Sequence, residues 1–451
     1  MLSYGLGDAG TGLAATQLGF YLFPFFTNQA QLPAFIAGSL LMVIKVWDAI
    51  NDPCIGWLSD HTRTRWGPRI PWMISASVPL GLSLSAIWWV PPGEINQRTI
   101  YYIFIAIILM TAYTGVNLPF AALSTELTED TAVRTRLNAA RFTGSILAGL
   151  SGLIIAAKLL GNDAEGFMQM GKITGAIATI TTLFACWGLV PFAKLARQPD
   201  QNKEPARLQI KRIIRNKIFL RVIGLYLLLW CGLQLMQTVS LIYLEQVMHV
   251  PSEISKWIPI PFQISALIGL QVWSIYSNKR GRIEALWKGG SIWIFACMIA
   301  MILPPLHKDI LVNNLFFPGN FEGIKMIILL ITILMVGFGA STAYLIPWSL
   351  LPDAIDADPD KPAGIYTAWM VLVQKISIGL SVQILGVLLS FAGYLSTNNC
   401  ISTANCLEQP NSAQITIRIC MGLIPSALVL IGLILMRGWP EKKIHFERSN
   451  S

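Results

Sequence analysis

The sequence predicts an all-α membrane protein whose twelve transmembrane helices form two six-helix halves. Three observations predict it. Of 451 residues, 54% are hydrophobic and only 13% charged, whereas a soluble domain carries roughly a quarter charged residues. Stretches such as Ile100 to Met110, Met326 to Val336 and Gly422 to Met436 contain no Asp, Glu, Lys or Arg, so they cannot face water along their whole length. A polar, basic stretch from Lys194 to Lys217, containing Pro199 and Pro205, divides the apolar segments six and six.

Apolar segments of roughly 20 residues place spans near residues 2 to 26, 34 to 58, 71 to 91, 100 to 124, 139 to 160, 171 to 193, 219 to 246, 257 to 276, 285 to 305, 324 to 350, 364 to 393 and 414 to 437. The domain reading follows: an N-terminal half over 1–193, a cytoplasmic linker over 194–218, a C-terminal half over 219–437 and a tail over 438–451. Orientation comes from Lys and Arg in the short loops. One set of loops holds Arg63, Arg65, Arg69, Arg134, Arg136, Lys279, Arg280, Arg282 and Lys361, together with the linker and tail cations. The opposite set holds little beyond Arg98, Lys256 and Lys308. Both termini are therefore expected in the cytoplasm of a cell with a bacterial-type inner (plasma) membrane. There is no Lys or Arg before Lys45, so the chain is read as entering its first span without a cleavable signal. The net charge of +9 is scattered through loops rather than gathered on one face, which argues against nucleic acid as a partner. Trp88 and Trp89, near the end of the third span, read as an interfacial belt.

A weak internal repeat supports the division. Leu118-Pro119-Phe120-Ala121-Ala122-Leu123, followed by Asp130, matches Ile346-Pro347-Trp348-Ser349-Leu350-Leu351, followed by Asp358, at a constant offset of 228 residues. Each copy closes the fourth span of its half. Two six-helix halves related by a parallel repeat are the construction of major facilitator transporters.

The chemistry gathers in the second span, Lys45-Val46-Trp47-Asp48-Ala49-Ile50-Asn51-Asp52-Pro53. At about 100° per residue, Lys45, Asp48 and Asp52 fall within about 60° of one another, with Asn51 about 60° from Asp48. An ionisable group inside a bilayer costs on the order of 3 kcal/mol, so such a cluster is not explained by packing. Two carboxylates and an amide suit a hard monovalent cation or a proton. The other reading is an internal ion-pair network locking helices together, or a position just beyond the hydrocarbon edge. Pro53 leaves a carbonyl free about one turn earlier, either as a further ligand or as an ordinary kink.

Trp47-Asp48-Ala49-Ile50-Asn51-Asp52-Pro53, then Gly56, Asp60 and Arg63-Thr64-Arg65-Trp66-Gly67-Pro68-Arg69-Ile70-Pro71-Trp72, resembles the signature of the glycoside-pentoside-hexuronide:cation symporter family. The resemblance runs over nearly the whole chain. It takes in Tyr4-Gly5-Leu6-Gly7-Asp8, the Leu118 to Leu123 segment leading to Glu126, Arg134 and Arg141, Leu351-Pro352-Asp353-Ala354-Ile355-Asp356, and Gly364-Ile365-Tyr366 ahead of Lys375. It implies a sodium-coupled sugar symporter working by alternating access, with Asp48, Asn51, Asp52 and Thr114 around the ion, and lithium or a proton as alternatives. No other cofactor is implied.

For the solute, the family's melibiose permease uses a carboxylate in the first span, one in the fourth and a tryptophan. The matching positions here are Gly12, Asn117 and Ala121. Asp8, Asn117, Arg141 and Lys375 are therefore the candidate substrate-binding residues, and a melibiose-like substrate is disfavoured. The run Leu350 to Asp356 is also similar to that of animal sodium-dependent lysophosphatidylcholine symporters, which keeps a lysophospholipid-like or other anionic amphiphile as the alternative substrate. A non-transporting sensor or scaffold is the alternative of another class.

Lys375 sits in an otherwise uncharged stretch and calls for an anionic partner, with Asp48 and Asp52 as natural candidates. Lys45, Asp60, Arg65, Arg69, Asp353 and Asp356 are assigned to coupling and gating. Asp60 at a helix C-terminal end is unfavourable unless an Arg neutralises it, so a cytoplasmic latch is expected, against the alternative of a solvated charge run. Cys400 and Cys406 lie in a loop expected outside the cell, where a disulfide is chemically allowed; a free-thiol loop is equally open. The four histidines His61, His249, His307 and His445 form no acid-base or metal cluster, and no phosphate loop with Lys is present, so an enzyme or ATP-driven pump is not expected. The expected partners are a small-molecule solute, a monovalent cation and the lipid bilayer, with the protein as a monomer.

Overall fold

The computed structural model describes residues 2–127, 131–161, 164–193, 212–307, 321–358, 363–395 and 409–439. Cys400 and Cys406, most of the expected linker and nearly all of the tail lie outside the described residues, as do Asp130 and Lys361. The described elements are helical. They run α1 Leu2–Leu6, α2 Ala9–Pro24, α3 Ala34–His61, α4 Ile70–Ala86, α5 Ile95–Leu127, α6 Thr131–Leu159, α7 Ala164–Ala193, α8 Lys217–Ile242, α9 Ser252–Ser255, α10 Pro259–Arg280, α11 Arg282–Ile302, α12 Phe321–Asp356, α13 Ala363–Phe391, α14 Asn411–Met421 and α15 Leu423–Leu435, with π-helical turns at Phe25–Gln29 and Tyr243–Val247.

Ten described stretches are long and apolar enough to cross a membrane, against the twelve spans expected. The expected spans 2 to 26 and 71 to 91 are the two that fall short. The first is interrupted between α1 and α2, where Gly7, a poor helix former, meets Asp8, whose backbone (φ −105°, ψ 2°) is not helical. The second is helical over Ile70–Ala86 only. Large apolar side chains such as Leu82, Ile100, Trp187 and Phe391 are exposed, as the lipid-facing surface of a membrane protein requires. Trp88 departs from the expected belt: it is fully buried, edge-on to Phe25 and stacked on Phe167. Trp89 beside it is exposed.

Contacts group the chain into two compact units. The first comprises Met1–Glu204, Gln237–Ile260 and Ile378–Ile417; the second comprises Pro205–Met236, Pro261–Ser377 and Arg418–Ser451. In the first unit α4 packs on α5 and α7, α2 on α6, and α3 on α5. One buried cluster joins α1, α4, α5 and α7 through Tyr4, Ile70, Met73, Phe120 and Leu189, with the Tyr4 and Phe120 rings 4.7 Å apart. That contact fixes the broken first span against α5. In the second unit α11 packs on α12 and α15.

A repeat that the amino acids barely show is plain in the backbone of the first unit. Each π-helical turn is followed by a residue with positive φ, Gln31 (59°) and His249 (54°). Each is then followed by a proline with nearly the same dihedrals, Pro33 (−53°, 142°) and Pro251 (−54°, 141°), that opens the next helix. The hydrogen bonds match too: Ala30 N to Phe25 O and Leu32 N to Phe26 O in one copy, Met248 N to Tyr243 O and Val250 N to Leu244 O in the other. Only the proline is shared in sequence.

A left-handed residue with a Cβ costs about 1–2 kcal/mol, least for glycine. Gln31→Gly and His249→Gly are expected to leave the thermal midpoint of the detergent-purified protein unchanged or raised, whereas Gln31→Val and His249→Val lower it. Equal midpoints for Gly and Val variants would show that these turns do not hold the left-handed conformation.

Candidate cation and solute site

The second-span cluster and Thr114 meet through the packing of α3 on α5. Asp48, Asn51 and Asp52 lie on one face of α3, and Met110, Thr114 and Asn117 lie on one face of α5 at helical spacing. The register is pinned by Trp47, whose indole Nε1 donates to Thr111 Oγ1 at 3.0 Å. Thr114 Oγ1 stands 3.1 Å from Asp48 Oδ1 and 3.1 Å from Asp52 Oδ1. Asn51 Nδ2 donates to Met110 O at 3.5 Å, which leaves its oxygen as the end available to a ligand. Asp48, Asn51 and Thr114 are buried. Two carboxylates drawn to one hydroxyl in a buried setting favour a positive charge beside them, and their oxygens are the hard ligands that an alkali cation takes. The structure thus brings together all four residues expected around the ion.

A second cluster is built where the first span breaks. Asp8, 5% exposed, stands at the N-terminal end of α2 without capping it. Its carboxylate instead accepts from Thr11 Oγ1 at 2.5 Å, Asn117 Nδ2 at 2.8 Å and Arg141 Nε at 2.9 Å. The Arg141 guanidinium also lies over the Phe120 ring at 5.6 Å. Three of the four candidate substrate residues therefore form one partly buried network. The fourth, Lys375, is half-buried in α13 within the second unit.

The two clusters share α5. Asn117 lies three residues beyond Thr114, about 4.5 Å along the helix axis. Tyr113 is within electrostatic reach of Asp8, Asp48, Asp52 and Arg141. Sequence reasoning missed Tyr113, although its position one turn before Asn117 marks it. Gly12, where the resemblance puts a sugar-binding carboxylate, faces Ser145 of α6 so closely that a Cβ there would sit 2.7 Å from Ser145 O and 2.9 Å from its Cα. The position cannot carry a side chain without moving α6.

The expected latch is built around Arg69, which is 4% exposed. It donates to Asp60 Oδ1 at 2.7 Å, Ser59 Oγ at 2.6 Å and Glu126 Oε1 at 2.8 Å. It thereby ties the ends of α3 and α5 to the start of α4. Arg65 is exposed and lies over the Trp66 ring at 5.1 Å instead. Lys45 is half-buried on α3, its Cβ 3.1 Å from where a Cβ on Gly379 would stand. The second unit has its own counterpart: Arg282, opening α11, donates to Asp353 Oδ2 at 2.7 Å and Ser349 O at 2.7 Å near the end of α12. Asp356 is exposed. The buried acid at this end is Asp358, 2.9 Å from Arg212 Nη1 and accepting from Tyr366 Oη at 2.7 Å. Glu126 and Asp358 were absent from the expected latch, since neither motif shows which carboxylate an arginine reaches.

Ten helices long and apolar enough to cross a membrane, with paired charges and an oxygen-lined cluster among those of the first unit, describe an integral membrane protein. The chain belongs to the MFS/sugar transport protein family, which matches residues 3–440. It is 30% identical to an uncharacterized symporter, sll1374, of Synechocystis sp. over 97% of this chain and 93% of that one. It is 24% identical to the sodium-dependent lysophosphatidylcholine symporter 1 of Gallus gallus, over 97% of this chain and 86% of that one. Among solved structures, a bacterial homolog of the human lysosomal transporter Spinster superposes with a TM-score of 0.70 at 14% identity, over 96% of this chain and 94% of that one.

Removing one partner of a buried charge cluster costs about 3–5 kcal/mol. Arg69→Gln is therefore expected to lower the thermal midpoint sharply by leaving Asp60 and Glu126 together. Arg69→Lys is expected to recover only part of the loss, because an ammonium lacks the planar fork. An Arg69→Gln protein as heat-stable as the parent would remove the latch from the stability account. Gly12→Asp is expected to lower expression and thermal midpoint through its clash with Ser145; normal stability would mean that α6 yields freely.

Proposed function

We propose that this major facilitator symporter couples the entry of sodium to uptake of a sugar or glycoside by alternating access. The observation that carries the reading is the approach of Asp48, Asp52 and Thr114 oxygens inside the first unit, with the Asn51 amide beside them. Sodium is preferred to a proton because four oxygen-bearing side chains, two of them neutral, form a ligand set rather than a single acid. The basic loops support a plasma-membrane location with both termini cytoplasmic, and the repeats support two six-helix halves built from twelve spans.

The solute is proposed to meet the Asp8, Asn117 and Arg141 network, whose hydrogen-bonding groups suit hydroxyls or an anionic group. A cation that draws on Thr114 acts on the same helix that presents Asn117, so ion occupancy and solute affinity are linked through α5. The link is reciprocal: a solute that tightens sodium binding is itself bound more tightly in sodium. A second reading, transport of a lysophospholipid-like amphiphile, is favoured by two facts. The Gly12 position has no room for a sugar-binding carboxylate, and several relatives matched over nearly the whole chain carry a lysophosphatidylcholine symporter's name.

An ion that binds the folded state raises stability by mass action. Sodium chloride is expected to raise the thermal midpoint of the purified protein relative to choline chloride at equal ionic strength. Asp48→Asn and Asp52→Asn are each expected to abolish that rise, and Thr114→Ala to require about tenfold more sodium for it. A sodium response intact in both Asp variants would sink the cation site. Counterflow in proteoliposomes with a pentoside, a hexuronide, melibiose and a lysophospholipid tests the solute. Lysophospholipid counterflow without any sugar counterflow would replace the leading substrate class with the second.

A further inference from the structure

We propose that a groove between α10 and α11 of the second unit binds an anionic glycerophospholipid, its acyl chain along the groove and its phosphate at the end carrying Lys279, Arg280 and Lys288. The cavity has a volume of about 470 Å³ and is lined by Val272, Trp273 and Tyr276 of α10 and by Trp287, Lys288, Ser291 and Ile292 of α11. Most of that lining is hydrocarbon or aromatic ring, which suits an acyl chain. The floor is fixed: Trp273 Nε1 donates to Phe338 O of α12 at 2.8 Å, and Gly289 lies close to both Trp273 and Thr342.

The polar end is set by helix periodicity. Tyr276 precedes Lys279 and Arg280 by three and four residues, so all three share one side of α10; Glu284 and Lys288 are likewise one turn apart on α11. Tyr276 Oη donates to Glu284 Oε1 at 2.5 Å, Lys288 pairs with Glu284 at 3.1 Å and lies 4.8 Å above the Tyr276 ring. Arg280 is within electrostatic reach of Glu284. Three cations thus stand against one carboxylate, since Arg282 is engaged by Asp353. Lys279, Arg280 and Lys288 are exposed, and Tyr276 and Trp287 are the amphipathic rings found at head-group depth. Positive charge in excess at one end and an apolar trough at the other match an anionic lipid, and give a neutral one no comparable hold.

The test is native mass spectrometry of the full-length protein released from micelles after incubation with equal amounts of phosphatidylglycerol and phosphatidylcholine of the same acyl chains. The parent is expected to retain phosphatidylglycerol in preference. A basic residue near an anionic head group contributes about 1 kcal/mol, about fivefold in affinity. The triple variant Lys279→Gln/Arg280→Gln/Lys288→Gln is therefore expected to lose that preference by well over about fivefold. Ser291→Trp, which fills the trough and keeps the cations, is expected to lower phosphatidylglycerol retention as well. No preference in the parent, or a preference that survives in both variants, would overturn the proposal.

Discussion

An ion moved from water into an apolar interior forfeits several kcal/mol of hydration, and only an opposite charge and full hydrogen bonding restore it. That constraint organises the first unit. Asp8 is met by Arg141, Asn117 and Thr11, and Arg69 is met by Asp60, Glu126 and Ser59. Asp48 and Asp52 are drawn to one threonine hydroxyl. Each cluster joins elements distant in the chain, so charge pairing and buried hydrogen bonding also decide which helices are held together.

The same logic recurs in the second unit with different residues. An arginine at the start of α11 reaches a carboxylate near the end of α12, as Arg69 at the start of α4 reaches Glu126 near the end of α5. The π-helical turns at Phe25–Gln29 and Tyr243–Val247 repeat a backbone path with only a proline in common. The shared path is clearer in geometry than in amino acids, because backbone hydrogen bonds and a fixed proline dihedral constrain few of the side chains along it.

The break in the first span shows how a buried carboxylate is placed at the expense of local regularity. A continuous helix through Gly7 and Asp8 would carry its backbone bonds without interruption. The interruption instead puts the Asp8 carboxylate at a helix N-terminal end, where the positive end of the dipole favours it and Arg141 can reach it. Close packing at Gly12 then brings α6, which carries Arg141, against α2.

Much was legible in the sequence, because two of its signals are one-dimensional. Long uncharged runs are incompatible with water whatever their surroundings, so the membrane class and most spans followed from composition alone. The Asp48, Asn51 and Asp52 face followed from helical periodicity, and the resemblance added Thr114. Tertiary structure alone decided the pairings. That Arg69 rather than Arg65 closes on Asp60, that Glu126 completes the cluster, that Asp358 rather than Asp356 is buried, and that Asn117 serves Asp8 are matters of which side chains different helices bring within 3 Å. Trp88 was misread as interfacial for the same reason, since Phe25 and Phe167 approach it from other helices. Spacing along one helix predicts what shares a face; it does not predict which face of another helix will be turned toward it.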